Sequence, residues 1–120
     1  MTIQRVAKPW GYELIWARTD RYVGKILHVR QGESLSLQYH RIKDETVMVL
    51  SGRIELEYFD EGKVPSVSVL EARQPVHLPP GLRHRMTALE DTDIVEVSTP
   101  ELDDVVRLED RYGRSGTSDA

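Results

Sequence analysis

The sequence predicts an all-β sandwich or barrel, and three observations predict it. Gly11, Gly24, Gly32, Gly52 and Gly81, with Pro65, Pro75, Pro79, Pro80 and Pro100, cut the chain into pieces of about strand length. Within those pieces apolar and polar residues alternate with period two, as a half-buried strand requires. The apolar runs are short, and many short strands separated by turns suit a sandwich or barrel.

The elements follow from these signals. Ile54, Leu56 and Tyr58 share a face opposite Glu55 and Glu57. Val67 and Val69 alternate with Ser66 and Ser68, Val76 and Leu78 flank His77, and residues 93–98 read as a further strand. In residues 100–114, Leu102, Val105, Val106 and Leu108 are spaced for one or two helical turns, with Pro100 ahead of them and acidic residues early. Residues 115–120 are small and polar and predict a frayed tail. With no repeat and no internal linker, residues 1–114 are expected to form a single domain.

Composition narrows the function classes. Of 120 residues, 39% are apolar and 30% charged, the balance of an ordinary soluble domain. A formal net charge of −4 argues against nucleic acid as a partner. No run of about 18 apolar residues exists to cross a membrane as a helix, and the N-terminal residues lack the apolar core of a secretory signal. The chain has no cysteine, which removes disulfides, thiolate metal sites and thiol nucleophiles. The expected compartment is the cytoplasm.

The run LSLQYHRIKDE, residues 35–45, carries the functional signal. As a strand it puts Ser36, Gln38 and His40 on one face and Leu35, Leu37 and Tyr39 on the other. Either row could look inward: exposed polar rows are common, and an inward one needs something to bind. Further on, Pro79-Pro80-Gly81 turns the chain into a strand bearing His84. Gln38, His40, Glu45 and His84 together offer two imidazoles, a carboxylate and an amide oxygen. That set suits a borderline divalent ion (Zn, Mn, Co, Ni or Fe) and leaves coordination positions open. It suits calcium poorly.

These residues resemble the two cupin motifs. The first, Gly-x5-His-x-His-x3,4-Glu-x6-Gly, reads here Gly32, Gln38, His40, Glu45 and Gly52; the second, Pro-x-Gly-x2-His-x3-Asn, reads Pro79, Gly81 and His84. Gln38 stands for a histidine and Ala88 for the asparagine. The resemblance implies a cupin jelly roll with Gln38, His40, Glu45 and His84 as metal ligands. More narrowly, residues 8–13, 32–41 and 102–114 resemble the isomerase portion of type II mannose-6-phosphate isomerases, in which the Gln-x-His pair is normal. Where that family's pattern places a histidine and a tryptophan after the glutamate, this chain has Thr46 and Val47.

The resemblance implies interconversion of mannose 6-phosphate and fructose 6-phosphate through an enediolate. Such a reaction needs a cation beside two oxygens and a base beside carbon. A metal-bound hydroxide, Lys43 and His77 are the candidate bases, the two side chains against a solvated loop lysine and a half-buried strand histidine. Lys8, Arg107 and Arg114 are the candidate phosphate anchors; EDRYGR could equally fold an arginine onto Glu109 or Asp110. Trp10 and Tyr12 could face a sugar ring or cover the edge of the core. A non-catalytic sugar-binding cupin and another metal reaction, such as a dioxygenase or lyase, are the alternatives. If the polar row looks inward, Leu35, Leu37 and Tyr39 face outward and need cover, which predicts a homodimer.

Overall fold

The computed structural model describes residues 2–59, 64–114 and 116–118. The strands among them are β1 (Gln4–Lys8), β2 (Gly11–Arg18), β3 (Val23–Val29), β4 (Leu37–His40), β5 (Glu45–Ser51), β6 (Ile54–Phe59), β7 (Ser66–Leu70), β8 (Pro75–Leu78), β9 (Arg83–Ala88), β10 (Thr92–Ser98), β11 (Val105–Glu109) and β12 (Gly116–Ser118). They build two six-stranded sheets in the orders β1-β2-β3-β10-β5-β8 and β12-β11-β4-β9-β6-β7. Late strands return between early ones, β10 between β3 and β5 and β9 between β4 and β6, which is jelly-roll pairing.

The inner faces change character along their length. On β5 the inward series runs Val49, Val47, Glu45; on β10 it runs Ile94, Glu96, Ser98; on β9 it runs Ala88, Met86, His84. Val49, Ile54 and Ile94 are fully buried, and each such side chain contributes about 1.5–3 kcal/mol by leaving water. The apolar ends pack into one core with Leu27, Val29, Leu56 and Leu78. The other end of the sandwich is lined by buried polar groups.

The turn from β5 to β6 is held by Gly52 at φ +95°. A Cβ there would lie 2.4 Å from Thr92 Oγ1 and 2.5 Å from the Asp91 carbonyl oxygen, so only glycine fits. Among the described residues no helix is long and apolar enough to cross a membrane.

Three expectations are corrected. The segment expected to make helical turns contains strand β11 instead, with Val105 and Arg107 buried and Val106 and Leu108 on the other face. Val105 and Val106 favour a strand, and β4 offers an unpaired edge along which Val105 aligns with His40 and Arg107 with Gln38. Asp104, which could have capped a helix, instead accepts the backbone N–H groups of Arg41, Ile42 and Lys43. Within the expected frayed tail, residues 116–118 pair with β11 as β12; residues 115, 119 and 120 lie outside the described residues. Finally, Leu35 and Leu37 do not form an exposed outer row. The strand begins only at Leu37, which breaks the alternation, so Leu35 joins the core and Leu37 is 8% exposed.

Candidate metal centre

His40 from β4, Glu45 from the start of β5 and His84 from β9 meet at the polar end of the sandwich, with ligand atoms within 4.8 Å of one another. Glu45 Oε1 is 3.5 Å from His40 Nε2 and 3.6 Å from His84 Nε2. All three residues are buried. The opposite ring nitrogens are committed: His40 Nδ1–H donates to the Asp104 carbonyl and His84 Nδ1–H to the Leu82 carbonyl, both at 2.9 Å. A carbonyl can only accept, so these bonds set the tautomer and leave each Nε2 lone pair aimed at the cluster. Both Nε2 atoms are buried and make no hydrogen bond. Two orphaned imidazole nitrogens converging on one carboxylate oxygen fit a borderline divalent cation. Burial holds His84 below the ordinary imidazole range, against the pull of Glu45, and so keeps it in the neutral form a ligand needs.

Gln38 lines a small cavity together with Glu45, and its Cα is aligned with that of His84 across β4 and β9. Its Oε1 accepts a hydrogen bond of 2.7 Å from Ser36 Oγ. The structure therefore brings His40, Glu45 and His84 into mutual ligand distance and sets Gln38 beside them.

Lys43 is 2% exposed, not a solvated loop residue. Its Nζ lies 3.1 Å from Glu45 Oε2 and 3.1 Å from Glu96 Oε2. Burial would lower the lysine, but Glu96 and Glu45 outweigh it and hold the group above its ordinary range, as an ammonium. Lys43 thus occupies one oxygen of Glu45 and leaves the other to face the imidazoles. For Glu45, burial is overcome by Lys43 and the two histidines, and the carboxyl lies below the usual range. Burial and the neighbouring Glu45 push Glu96 above it, against Lys43 and Lys25.

His77 lies elsewhere. Its side chain is 60% exposed and its Nε2 is 2.6 Å from Asp44 Oδ1. It is aligned with Thr46 across β8 and β5, on the sheet face opposite Glu45. The same alternation turns Thr46 away from the cluster and buries Val47 beside it. A histidine at position 46 would therefore point outward, away from the ligand atoms.

The three candidate anchors do converge. Lys8, Arg107 and Arg114 line the cavity together with Lys25. Burial lowers Lys8, and Lys25, Arg107 and Arg114 add to the effect against Glu13; the cavity lining mixes these cations with Glu13, Glu45 and Glu96. Arg114 is also a clamp, with Nε and Nη2 each 3.1 Å from the Asp110 carboxylate. Trp10 is buried in the core and borders the cavity, whereas Tyr12 lies on the outer face, stacked on His28 with centroids 4.9 Å apart.

Glu13, Lys25 and Glu96 were not singled out from the sequence. Each is at most 5% exposed, and Lys25 Nζ is 3.5 Å from Glu13. The available signal was a charge in phase with apolar neighbours: Lys25 alternates with Val23, Leu27 and Val29. That signal is weak because the opposite row, with Ile26, is also apolar.

A jelly roll with a His/Glu/His cluster at its polar end defines a cupin-type protein. Solved structures agree on the fold: the chain superposes on the capsular polysaccharide assembling protein CapF of Staphylococcus aureus with a TM-score of 0.70 at 19% identity, over 98% of this chain and 31% of that one. It superposes on Bacillus subtilis oxalate decarboxylase with a TM-score of 0.74 at 15% identity, over 88% and 30%. Residues 1–110 match the family model described as mannose-6-phosphate isomerase C-terminal, and the chain belongs to that family. It is 37% identical over 120 residues to the mannose-1-phosphate guanylyltransferase ManC of Salmonella typhimurium and 35% over 118 residues to the xanthan biosynthesis protein XanB of Xanthomonas campestris. These alignments cover 92% and 93% of this chain but 23% and 24% of those proteins, so the chain spans about a quarter of their length.

Proposed function

We propose that the chain is a metal-dependent sugar-phosphate isomerase that interconverts mannose 6-phosphate and fructose 6-phosphate. The observation that carries the reading is the pair of orphaned, buried Nε2 atoms facing Glu45 Oε1, in a chain of the mannose-6-phosphate isomerase C-terminal family. His40, Glu45 and His84, with Gln38, would hold Zn, Mn, Co, Ni or Fe, which supplies Lewis-acid stabilisation of charge on two adjacent sugar oxygens. Lys43 keeps Glu45 turned toward the imidazoles and, as an ammonium, is no base. Arg107 faces the cavity opposite Gln38 and adds positive field there. Lys8, at the edge of the same cavity, adds positive charge where the substrate enters.

The proton must move between C1 and C2. Of the carboxylates lining the cavity, Glu45 belongs to the ligand set, while Glu13 and Glu96 each face a buried lysine, at 3.5 Å and 3.1 Å. Glu96, held above the usual carboxylate range, is the group we assign to that transfer. A coupled assay of fructose 6-phosphate formation, with protein stripped and reloaded with each metal in turn, tests the reading. Turnover should require metal, and Glu96→Gln should lose about 100-fold in kcat or more with its metal content unchanged. No turnover with any metal sinks the assignment, and sugar-phosphate binding without turnover supports a non-catalytic sugar-binding protein instead.

A homodimer remains our proposal, on a different surface from the one the sequence suggested. Trp16, Leu50 and Val97, 43%, 44% and 51% exposed, lie on the outer face of the first sheet, and a second copy is the commonest cover for such a face. Sedimentation should give twice the chain mass, reduced by Trp16→Glu; a monomer at every concentration rejects it.

A further inference from the structure

The cavity that Gln38 and Glu45 line has a volume of ≈ 30 Å³, room for about one or two water molecules. A hexose phosphate does not fit inside it. Beside it lies a groove of ≈ 630 Å³, within the range of about 300–1,000 Å³ that holds small ligands. One wall is the inner face of β1 and β2, where Gln4, Val6, Lys8, Glu13 and Ile15 point inward; the other is the segment 100–104 that precedes β11. Lys8 and Glu13 line both the groove and the cavity. The two spaces therefore meet at this pair.

We infer that the groove is the seat of the phosphate end and hydroxyl chain of the substrate, with only its reacting end passing Lys8 and Glu13 toward His40, Glu45 and His84. The inference rests on the isomerase reading for the reacting end and adds the site that holds the rest of the molecule. It also assigns Arg18 and Gln4 as specificity-determining residues.

The chemistry of the walls carries it. On the strand wall, Lys8 stands at one end of β1, aligned with Gly11, and Gln4 at the other end, aligned with Ile15; Arg18 lies at the end of β2 beyond Ile15. The side chains of Gln4 and Arg18 make no hydrogen bond or ion pair among the described residues. The facing wall is acidic, with Glu101, Asp103 and Asp104. Asp104 is spent on the backbone of residues 41–43, but Glu101 has a buried Oε2 that accepts no hydrogen bond. A ligand that is anionic along one side and rich in hydroxyl donors along the other matches this division. Phosphate meets Arg18, at the end of the groove away from Lys8, and hydroxyls donate to carboxylates. Val6, Ile15 and Leu102 supply apolar surface for the C–H face of the chain. A sugar without phosphate forgoes the contact with Arg18.

The test uses the metal-loaded full chain, with Arg18→Ala and with Val6→Trp, which fills the groove from an edge strand. Both variants should raise KM for mannose 6-phosphate by about tenfold or more, the scale of one lost charge-assisted hydrogen bond. Their kcat and metal content should stay close to those of the unaltered chain. In calorimetry, Arg18→Ala should weaken binding of mannose 6-phosphate and leave that of mannose unchanged. Turnover with an unaltered KM in both variants overturns the groove and leaves the isomerase standing. Binding that weakens in Arg18→Ala, in a protein that turns nothing over, keeps the groove and removes the isomerase. Failure of the unaltered chain to bind mannose 6-phosphate overturns the groove outright.

Discussion

Lys43→Met is expected to destabilise the metal-free protein by about 3–5 kcal/mol, the cost of breaking a buried ion pair by removing one partner. The ammonium lies 3.1 Å from both Glu45 and Glu96, and all three groups are out of solvent. Without it two carboxylates share a buried site with no cation between them. Denaturant unfolding measures the loss directly, and the double variant Lys43→Met/Glu96→Leu should recover part of it, because one of the stranded charges goes too. A loss below about 1 kcal/mol, the scale of an exposed pair, would mean that Lys43 does not hold these groups. The pH dependence follows from the same contacts. In the fold Glu45 is held below its ordinary value of 4.5, so it binds fewer protons than in the unfolded chain. Its contribution is complete above pH 4.5 and is lost as the pH falls below it. Lys43, held above its ordinary 10.5, contributes fully below pH 10.5, and that part is lost as the pH rises beyond.

Removal of one imidazole from the cluster is expected to have the largest effect on metal binding. His40→Ala or His84→Ala should weaken affinity by about 100-fold or more, beyond the 10–100-fold typical of groups that merely orient ligands. Calorimetry on stripped protein, with metal content read by elemental analysis, should show one ion per chain for the unaltered protein. Affinity should fall only when the medium is acidic enough to protonate His84, which burial holds below the ordinary imidazole range, since a ligating ring must be neutral. Equal affinity in His40→Ala and the unaltered chain would remove His40 from the ligand set. Each alanine variant also strips the Nδ1 bond to a backbone carbonyl, so a stability loss of about 1–3 kcal/mol should accompany the loss of metal affinity.

The spacing of His40, Glu45 and His84 was readable because two motifs with turn glycines carry it, and turn chemistry is local. Lys43 was harder. A lysine in a short connection is normally solvated, and only the approach of β10, which brings Glu96 beside β5, makes this one a buried counter-ion. His77 looked like a base because histidines draw attention, yet its strand alternates it onto the face opposite Glu45. The helix expected in 100–114 had the spacing for one turn, but a strand edge was waiting for Val105–Glu109.

By itself the sequence determined the strand pattern, the motif residues and the absence of thiol chemistry, since alternation, turn residues and composition need no knowledge of what lies across the fold. The tertiary structure alone decided that members of both rows of residues 35–40 are buried, Leu35 and Leu37 as well as Ser36 and His40. It also decided that Leu35 joins the core, that Glu13, Lys25 and Glu96 are interior charges, and that a groove opens beside β1. Burial and ion pairing depend on which distant strands become neighbours, and here paired strand residues lie up to 75 positions apart, as Val23 and Ser98 do.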